Sequence, residues 1–242
     1  LRYCETIDST NPCGEQPLPP YGACLLGSVN LARLVRNSFT ANAALDLDAL
    51  RNLVTTAVRM LDNVIDISRF PLPEQENEAR AKRRIGLGIT GLADALIFCR
   101  ARYGSDQAVA LTHTWLAEVR RAAYLASVDL AKEKGVFPLF ERKEFLANDG
   151  IVSLDDDVRT AIAEHGIRNA LLTSIAPTGT ISIFADNVSS GLEPVFAFTY
   201  RRHVNMTDGS RREEIVSDYA YRQYRTQFGE AAQLPDYFVT TA

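Results

Sequence analysis

Prolines at positions 12, 17, 19 and 20 and glycines at 14, 22 and 27 crowd the first thirty residues. Proline lacks a backbone N–H and fixes φ, and glycine marks turns, so residues 1–30 read as a stiff loop. The loop carries the string Asn11-Pro-Cys-Gly-Glu15, and Cys24 follows eleven residues after Cys13. In an extended loop alternate residues share a side. Asn11, Cys13 and Glu15 then offer a carboxamide, a thiol and a carboxylate to one substrate.

Each group has a chemistry. Glu15 is suited to take a proton from a hydroxyl. Asn11 can donate and accept hydrogen bonds. Cys13 can serve as a nucleophile or as a hydrogen-atom carrier. An isolated cysteine is most often a small buried residue, but the N-x-C-x-E arrangement with a second cysteine downstream argues against that here. Cysteine hydrolases pair the thiol with a histidine. The only histidines are His113, His165 and His203, and none carries a signature linking it to Cys13. A redox or radical role is favoured.

Length and charge bound the rest. The 242 residues are 46% hydrophobic and 23% charged, with a formal net charge of -4, as in an ordinary globular protein able to bury a full core. That balance points to neither a nucleic-acid partner nor a membrane surface. There is no run of about 18 apolar residues and no leader pattern. Four cysteines without a C-x-x-C pair suit neither a disulfide scaffold nor a zinc site; a metal site is not expected and a reducing cytoplasm is. The abrupt opening at Leu1 and the end at Ala242 read as a fragment of a longer polypeptide.

Along the chain, Leu47, Leu50, Val54, Ala57, Leu61, Val64 and Ile65 recur at helical spacing, with Asp46 or Asp48 as cap and Phe70-Pro-Leu-Pro73 as terminator. Residues 74–84 are charged and read as a short solvated helix. The glycine-rich unit 84–94 leads into a helix through Ile97. Ser105 caps a long helix that ends near Gly135. Residues 136–169 read as short helices and loops, Val195–His203 as a strand. Cys4, Cys99 and Trp115 are expected to be structural. Glu193 is weighed as an active-site rim residue or a turn residue. Arg201 and Arg202 are weighed as phosphate contacts or solvated surface. The alternation of helices with short apolar strands gives an α/β or mixed class.

Residues 170–200 hold a second candidate. Ala170 to Ser182 reads as a buried strand, a tight turn and a helix start. At Pro177-Thr-Gly-Thr-Ile-Ser182, backbone N–H groups and the helix dipole attract phosphate. Gly179 permits close approach, and the hydroxyls of Thr178, Thr180 and Ser182 add donors. The plainer reading is a helix-capping turn. By contrast, Gly86-Leu-Gly-Ile-Thr-Gly91 matches G-x-G-x-x-G, with Asp106 twenty residues after Gly86. The charged stretch Glu78 to Arg84 is not the buried strand a dinucleotide site needs, so these glycines are read as allowing close helix packing.

The string NPCGEQPLPPYGAC closely resembles the active-site loop of the catalytic subunit of ribonucleotide reductases, most of all the class II, adenosylcobalamin-dependent enzymes. RRIGLGITGLADAL and APTGTIS extend the resemblance. It implies that residues 1–242 form a single partial catalytic domain, the C-terminal half of a ten-stranded α/β barrel. By the same resemblance Cys13 becomes the thiyl radical that takes the C3′ hydrogen, Glu15 draws the 3′-hydroxyl proton and Asn11 orients the substrate hydroxyls. Cys24 is one half of the reducing thiol pair, and Pro177, Thr178, Gly179, Thr180, Ile181 and Ser182 hold the phosphates. The implied partners are a ribonucleotide, adenosylcobalamin, a thioredoxin-type reductant or dithiol, and a second copy of the parent. The partner of Cys24, the C-terminal shuttle cysteines and most of the cobalamin surface would lie outside this chain, so the fragment is expected not to turn over alone. The rivals are a class I large subunit, a non-catalytic nucleotide-binding module, and a dehydrogenase built on Gly86–Gly91.

Overall fold

A computed structural model describes residues 1–241. In chain order the elements are β1 (Ser9–Thr10), β2 (Pro17–Leu18), β3 (Leu25–Asn30), a 3-10 turn (Leu31–Leu34), β4 (Val35–Arg36), β5 (Ala44–Leu45), α1 (Leu47–Ile67), α2 (Pro73–Lys82), β6 (Ile85–Thr90), α3 (Leu92–Phe98) and α4 (Asp106–Lys134). Then follow α5 (Arg142–Leu146), α6 (Asp149–Val152), α7 (Asp156–His165), α8 (Gly179–Phe184), β7 (Thr199–Asn205), β8 (Arg211–Ser217) and α9 (Tyr219–Phe228). The strands pair in twos as β1-β2, β3-β6, β4-β5 and β7-β8, so the described residues form an α/β mixture and no closed barrel. No helix among them is long and apolar enough to cross a membrane. The chain divides into two compact units, the first made of residues 1–29, 47–88 and 115–176, the second of 30–46, 89–114 and 177 onward.

In the first unit, α1 buries Leu50, Val54, Leu61 and Ile65 of the expected stripe; Val58, outside it, is buried too, while Leu47, Ala57 and Val64 are half-buried. Asp62 falls on the same face with no exposure. Arg83 donates to its Oδ1 at 2.8 Å, and Asn169 Nδ2 donates to it at 3.0 Å. Burial alone would raise this carboxyl, but the hydrogen bond and charge of Arg83, with Arg168, hold it below the usual range. Helix α4 starts after Ser105, whose Oγ accepts from Ala108 N–H at 3.2 Å, and stops before Gly135 at φ +85°, as the sequence foretells.

Strand β6 is buried at all six positions. It pairs with β3, and residues 171–174 run parallel to it with Leu87 N–H donating to Leu172 O at 2.8 Å and Ser174 N–H to Leu87 O at 3.1 Å. A Cβ on Gly88 would collide with the carbonyl oxygen of Ser174. Gly86 and Gly88 therefore let strands approach closely, where helix packing was expected. They lie inside the strand, and only Gly91 stands at the strand-to-helix turn, with φ +71°. A dinucleotide fingerprint needs its first two glycines at that turn, so the dehydrogenase reading is withdrawn.

In the second unit, Phe39, Phe98, Tyr219, Tyr224 and Phe238 form an aromatic core. Edge-to-face contacts join Phe39 to Phe98 at 5.1 Å and to Tyr224 at 5.3 Å, a geometry that favours the ring quadrupoles. The strand expected at Val195–His203 starts four residues later and ends two later, at Thr199–Asn205, and pairs with β8 from Thr199↔Ser217 to Asn205↔Arg211. Val195 instead makes an isolated bridge with Thr240. Cys99 and Trp115 are buried, as expected.

Candidate active site

The thiol loop belongs to the first unit. Strands β1 and β2 pair in the register Ser9↔Leu18 and Thr10↔Pro17, and the candidate residues occupy the connection. Gly14 N–H donates to Asn11 O at 3.0 Å. Asparagine at the first position, proline at the second and glycine at the fourth are what a type I turn favours. The loop is therefore turned rather than extended, and side-chain direction comes from the turn, not from alternation. Cys13 sits at the third position and is exposed. Asn11 Oδ1 accepts from Gln16 N–H at 2.9 Å, which closes the loop and leaves the amide NH2 to donate.

Glu15 is half-buried. Its backbone oxygen accepts from Ser174 Oγ at 3.1 Å, so the strand segment that pairs with β6 also clips the loop. Its Oε2 is shielded from solvent and has no hydrogen-bond partner among the described residues. A carboxylate oxygen held this way is costly unless a ligand completes it. Cys24 is a half-buried free thiol within electrostatic reach of Glu15 and Arg84. Burial pushes it up to about 12; Arg84 pulls it down and Glu15 adds to the rise.

The turn at Pro177–Ser182, the candidate for phosphate, belongs to the second unit. Thr178 precedes α8 at φ +56° and ψ +19°, a left-handed conformation uncommon for a β-branched residue. Its side chain is buried, and its hydroxyl accepts from Gly191 N–H at 2.8 Å. It also meets Thr90 Oγ1 at 3.1 Å, while Thr90 donates to Ser189 O at 2.9 Å. Thr90 has one proton and spends it on Ser189, so the shared proton comes from Thr178. Ser182 donates to Gly179 O at 3.2 Å and meets Ser190 Oγ at 3.1 Å. Of the three hydroxyls expected to face phosphate, two are turned inward. Pro177, Gly179, Thr180 and Ile181 are exposed.

A cleft of about 590 Å³ opens beside this turn, lined by Pro177, Gly179, Ser182, Glu193 and Arg202 among others. Arg202 is half-buried and Arg201 exposed, so the pair splits. Beneath the cleft, Asp94 has no exposure. Its Oδ2 accepts from Ser189 N–H at 2.6 Å and its Oδ1 from Ala220 N–H at 2.9 Å. Asp218, which caps α9 by accepting from Tyr221 N–H at 2.9 Å, also hydrogen-bonds Asp94. Burial first, and the Asp94 charge second, raise the Asp218 carboxyl well above its ordinary value. Burial raises Asp94 as well, against the pull of its Ser189 and Ala220 donors; Asp218 is raised further because the Asp94 charge adds to its burial, so the shared proton is assigned to Asp218. Sequence reasoning missed Thr90, Asp94, Ser189 and Asp218. The available signal was Asp94 itself, a lone carboxylate inside the apolar run Leu92-Ala-Asp-Ala-Leu-Ile-Phe98.

The first unit thus carries an exposed thiol beside an unsatisfied glutamate oxygen on one turn, and the second unit carries the threonine-glycine turn beside a cleft. Residues 1–231 match the family model for the ribonucleotide reductase barrel domain, and the chain belongs to that family. It is 43% identical over 199 residues to a vitamin B12-dependent ribonucleoside-diphosphate reductase of Mycobacterium tuberculosis, covering 82% of this chain and 25% of that protein. A protein of the same description from Thermoplasma acidophilum is 42% identical over 198 residues, covering 82% and 23%. The large chain of a ribonucleoside-diphosphate reductase of Neurospora crassa is 32% identical over 214 residues, covering 82% and 22%. The chain thus spans about a quarter of the length of the vitamin B12-dependent relatives it matches.

Proposed function

We propose that this chain is a segment of the catalytic barrel of a class II ribonucleotide reductase. The parent would reduce ribonucleoside diphosphates to 2′-deoxyribonucleotides in the cytoplasm. The carrying observation is the pairing, on one short loop, of an exposed thiol at a turn tip with a shielded carboxylate oxygen that has no partner. Those are the two groups needed to remove a hydrogen atom from one ribose carbon and a proton from the hydroxyl that carbon bears.

The roles follow the resemblance and the geometry together. The Cys13 thiyl takes the C3′ hydrogen, and the residue is exposed. Glu15 Oε2 accepts the 3′-hydroxyl proton, which satisfies the orphaned atom. Asn11 donates its free NH2 to a substrate hydroxyl, its oxygen being held by Gln16. The 2′-hydroxyl leaves as water. Cys24 and a second thiol outside this chain become a disulfide, giving one proton to that water, one hydrogen to C2′ and the remaining electron to the sugar; Glu15 returns its proton to the 3′-oxygen, and Cys13 returns its hydrogen to C3′. Burial keeps Cys24 in the S–H form, the form that can deliver hydrogen. Residues 177–182 receive the phosphates through backbone N–H groups and the exposed hydroxyl of Thr180, with Arg202 bordering the cleft.

Adenosylcobalamin fits this arrangement at one point. The exposed free thiol of Cys13 is a group such a cofactor could reach, and when bound the cofactor would supply the radical chemistry that starts the reaction. The rest of the parent chain would hold most of it, complete the ten-stranded barrel, and present the surfaces for a dithiol reductant and for a second copy.

The test uses the full-length parent with a ribonucleoside diphosphate, dithiothreitol and adenosylcobalamin, following 2′-deoxynucleotide formation. Cobalamin-dependent product that disappears in Cys13→Ser is expected. Glu15→Gln should slow turnover about 10²–10⁴-fold, the usual worth of a positioned general base. Product only with a separate radical-generating subunit would move the chain to class I. No product under either condition would leave a nucleotide-binding module, and turnover by residues 1–242 alone would refute the fragment reading.

A further inference from the structure

Residue Ser189 is held at every polar atom. Its N–H donates to Asp94 Oδ2 at 2.6 Å, and its carbonyl accepts from Thr90 Oγ1 at 2.9 Å and from Gly91 N–H at 2.8 Å. Its Oγ accepts from Ala93 N–H at 3.0 Å. The two residues that follow then grip the phosphate turn: Ser190 Oγ meets Ser182 Oγ at 3.1 Å, and Gly191 N–H donates to Thr178 Oγ1 at 2.8 Å. Thr90 closes the circuit by accepting the Thr178 proton at 3.1 Å. Thr90, Asp94, Thr178, Ser182 and Ser189 are all buried.

We infer that Thr90 and Asp94 are positioning residues for phosphate recognition, acting through Ser189–Gly191 on the backbone of Thr178 and Gly179. The proposal rests on the assignment of residues 177–182 to the substrate phosphates. The reasoning is conformational. Thr178 occupies a left-handed backbone conformation that is strained for a β-branched residue, and a six-residue helix cannot hold it there. What holds it is the hydroxyl bonded from two sides. In this conformation the N–H groups of the turn are set before substrate arrives, so the ordering cost is met in folding rather than in binding. Released from Thr90, Thr178 would relax and the phosphate donors would lose their common direction. Neither Thr90 nor Asp94 touches the substrate in this scheme, so their loss should appear in binding and not in the chemical step.

The experiment measures KM and kcat of the full-length parent for cytidine 5′-diphosphate. Thr90→Val keeps the shape and the strand preference of residue 90 while removing its hydroxyl. It should raise KM about tenfold with kcat within about twofold, Thr90→Ser should restore KM, and Asp94→Asn should follow Thr90→Val. Gly179→Asp tests the underlying assignment. A Cβ there meets nothing within 4 Å, and a carboxylate in a helix's first turn favours the fold but repels a bound phosphate. Its KM should rise at least 30-fold. If Gly179→Asp raises KM and Thr90→Val does not, the positioning proposal falls while the phosphate assignment stands. If neither raises KM, both fall. If Thr90→Val lowers kcat with KM unchanged, or if Thr90→Ser shares the defect together with a depressed thermal midpoint, Thr90 belongs to the core alone and the proposal is overturned.

Discussion

The state of Cys24 separates hydrogen-donating chemistry from nucleophilic chemistry, and its reactivity can be worked out from its burial. A thiol raised from 9.0 to about 12 holds about a thousandfold less thiolate at pH 8 than an unburied cysteine. A more basic thiolate is also a better nucleophile, with a Brønsted slope of about 0.4–0.5, which gives back roughly 16- to 32-fold. The net expectation is that Cys24 attacks a small aromatic disulfide about 30–60 times more slowly than a free cysteine, before any shielding by the fold. The assay is a timed pulse of such a reagent on the reduced protein, with modified peptides quantified by mass spectrometry between pH 7 and pH 10. Exposed Cys13 should be modified first. The Cys24 rate should keep climbing about tenfold per pH unit across the range where a free cysteine levels off. Glu15→Gln should speed it, because the Glu15 charge helps hold the thiol up. Modification of Cys24 within about threefold of a free cysteine, or a plateau below pH 10, would refute the reasoning.

Two further outcomes follow from the packing and the buried acids. Gly88→Ala should cost about 2 kcal/mol in urea denaturation, since overpacking against the Ser174 carbonyl costs about 1–3 kcal/mol and reduced chain entropy returns under 1 kcal/mol; Gly179→Ala should stay within about 0.5 kcal/mol, and equal midpoints for both would contradict the close strand approach. Asp218 should make stability fall with pH. Its folded value is raised, so its contribution is complete below the ordinary carboxylate range and is lost as pH rises through the folded value. Asp218→Asn keeps the cap acceptor and donates to Asp94 at every pH, so its thermal midpoint should match wild type in acid and exceed it at neutral pH; parallel curves would show that no proton is shared.

The long helices were legible because their stripes and stops are local. Leu50, Val54 and Leu61 recur within α1, and Ser105 and Gly135 bracket α4. The loop at residues 11–16 was legible as a loop, but its shape was misjudged. Asn11, Pro12 and Gly14 spell a type I turn, and a turn cancels the alternation that an extended chain would impose. Strand β8 reads Arg211-Arg-Glu-Glu-Ile-Val-Ser217 and buries none of these residues, so it offers no alternating pattern. Its pairing with β7 is a tertiary fact. The same holds for the threonines. Whether a hydroxyl in Pro177–Ser182 faces substrate or protein depends on Thr90, Ser190 and Gly191, and only folding shows that Thr178 and Ser182 are engaged inward.

The direction of the perturbations at the thiol loop argues for one chemistry over another. A cysteine that attacks a carbonyl needs its thiolate stabilised by a neighbouring cation, histidine or helix N-terminus. At Cys24 burial and the Glu15 charge both oppose the thiolate, and Arg84 does not reverse them. A hydrogen donor has the opposite requirement: it must remain S–H until its electrons are needed, and burial meets that requirement without a histidine. The orphaned Glu15 oxygen is consistent with the proposed role, since an acceptor shielded from water and without a partner is open to the proton of a bound hydroxyl. Asn11 Oδ1 already accepts from Gln16 N–H, so its free NH2 is the group it offers to that hydroxyl, and a neutral amide oxygen is a far weaker base than the Glu15 carboxylate. Substituting Asn11 by Asp would therefore do more than add a charge. It would remove the donor and place a second base on the loop that presents Cys13.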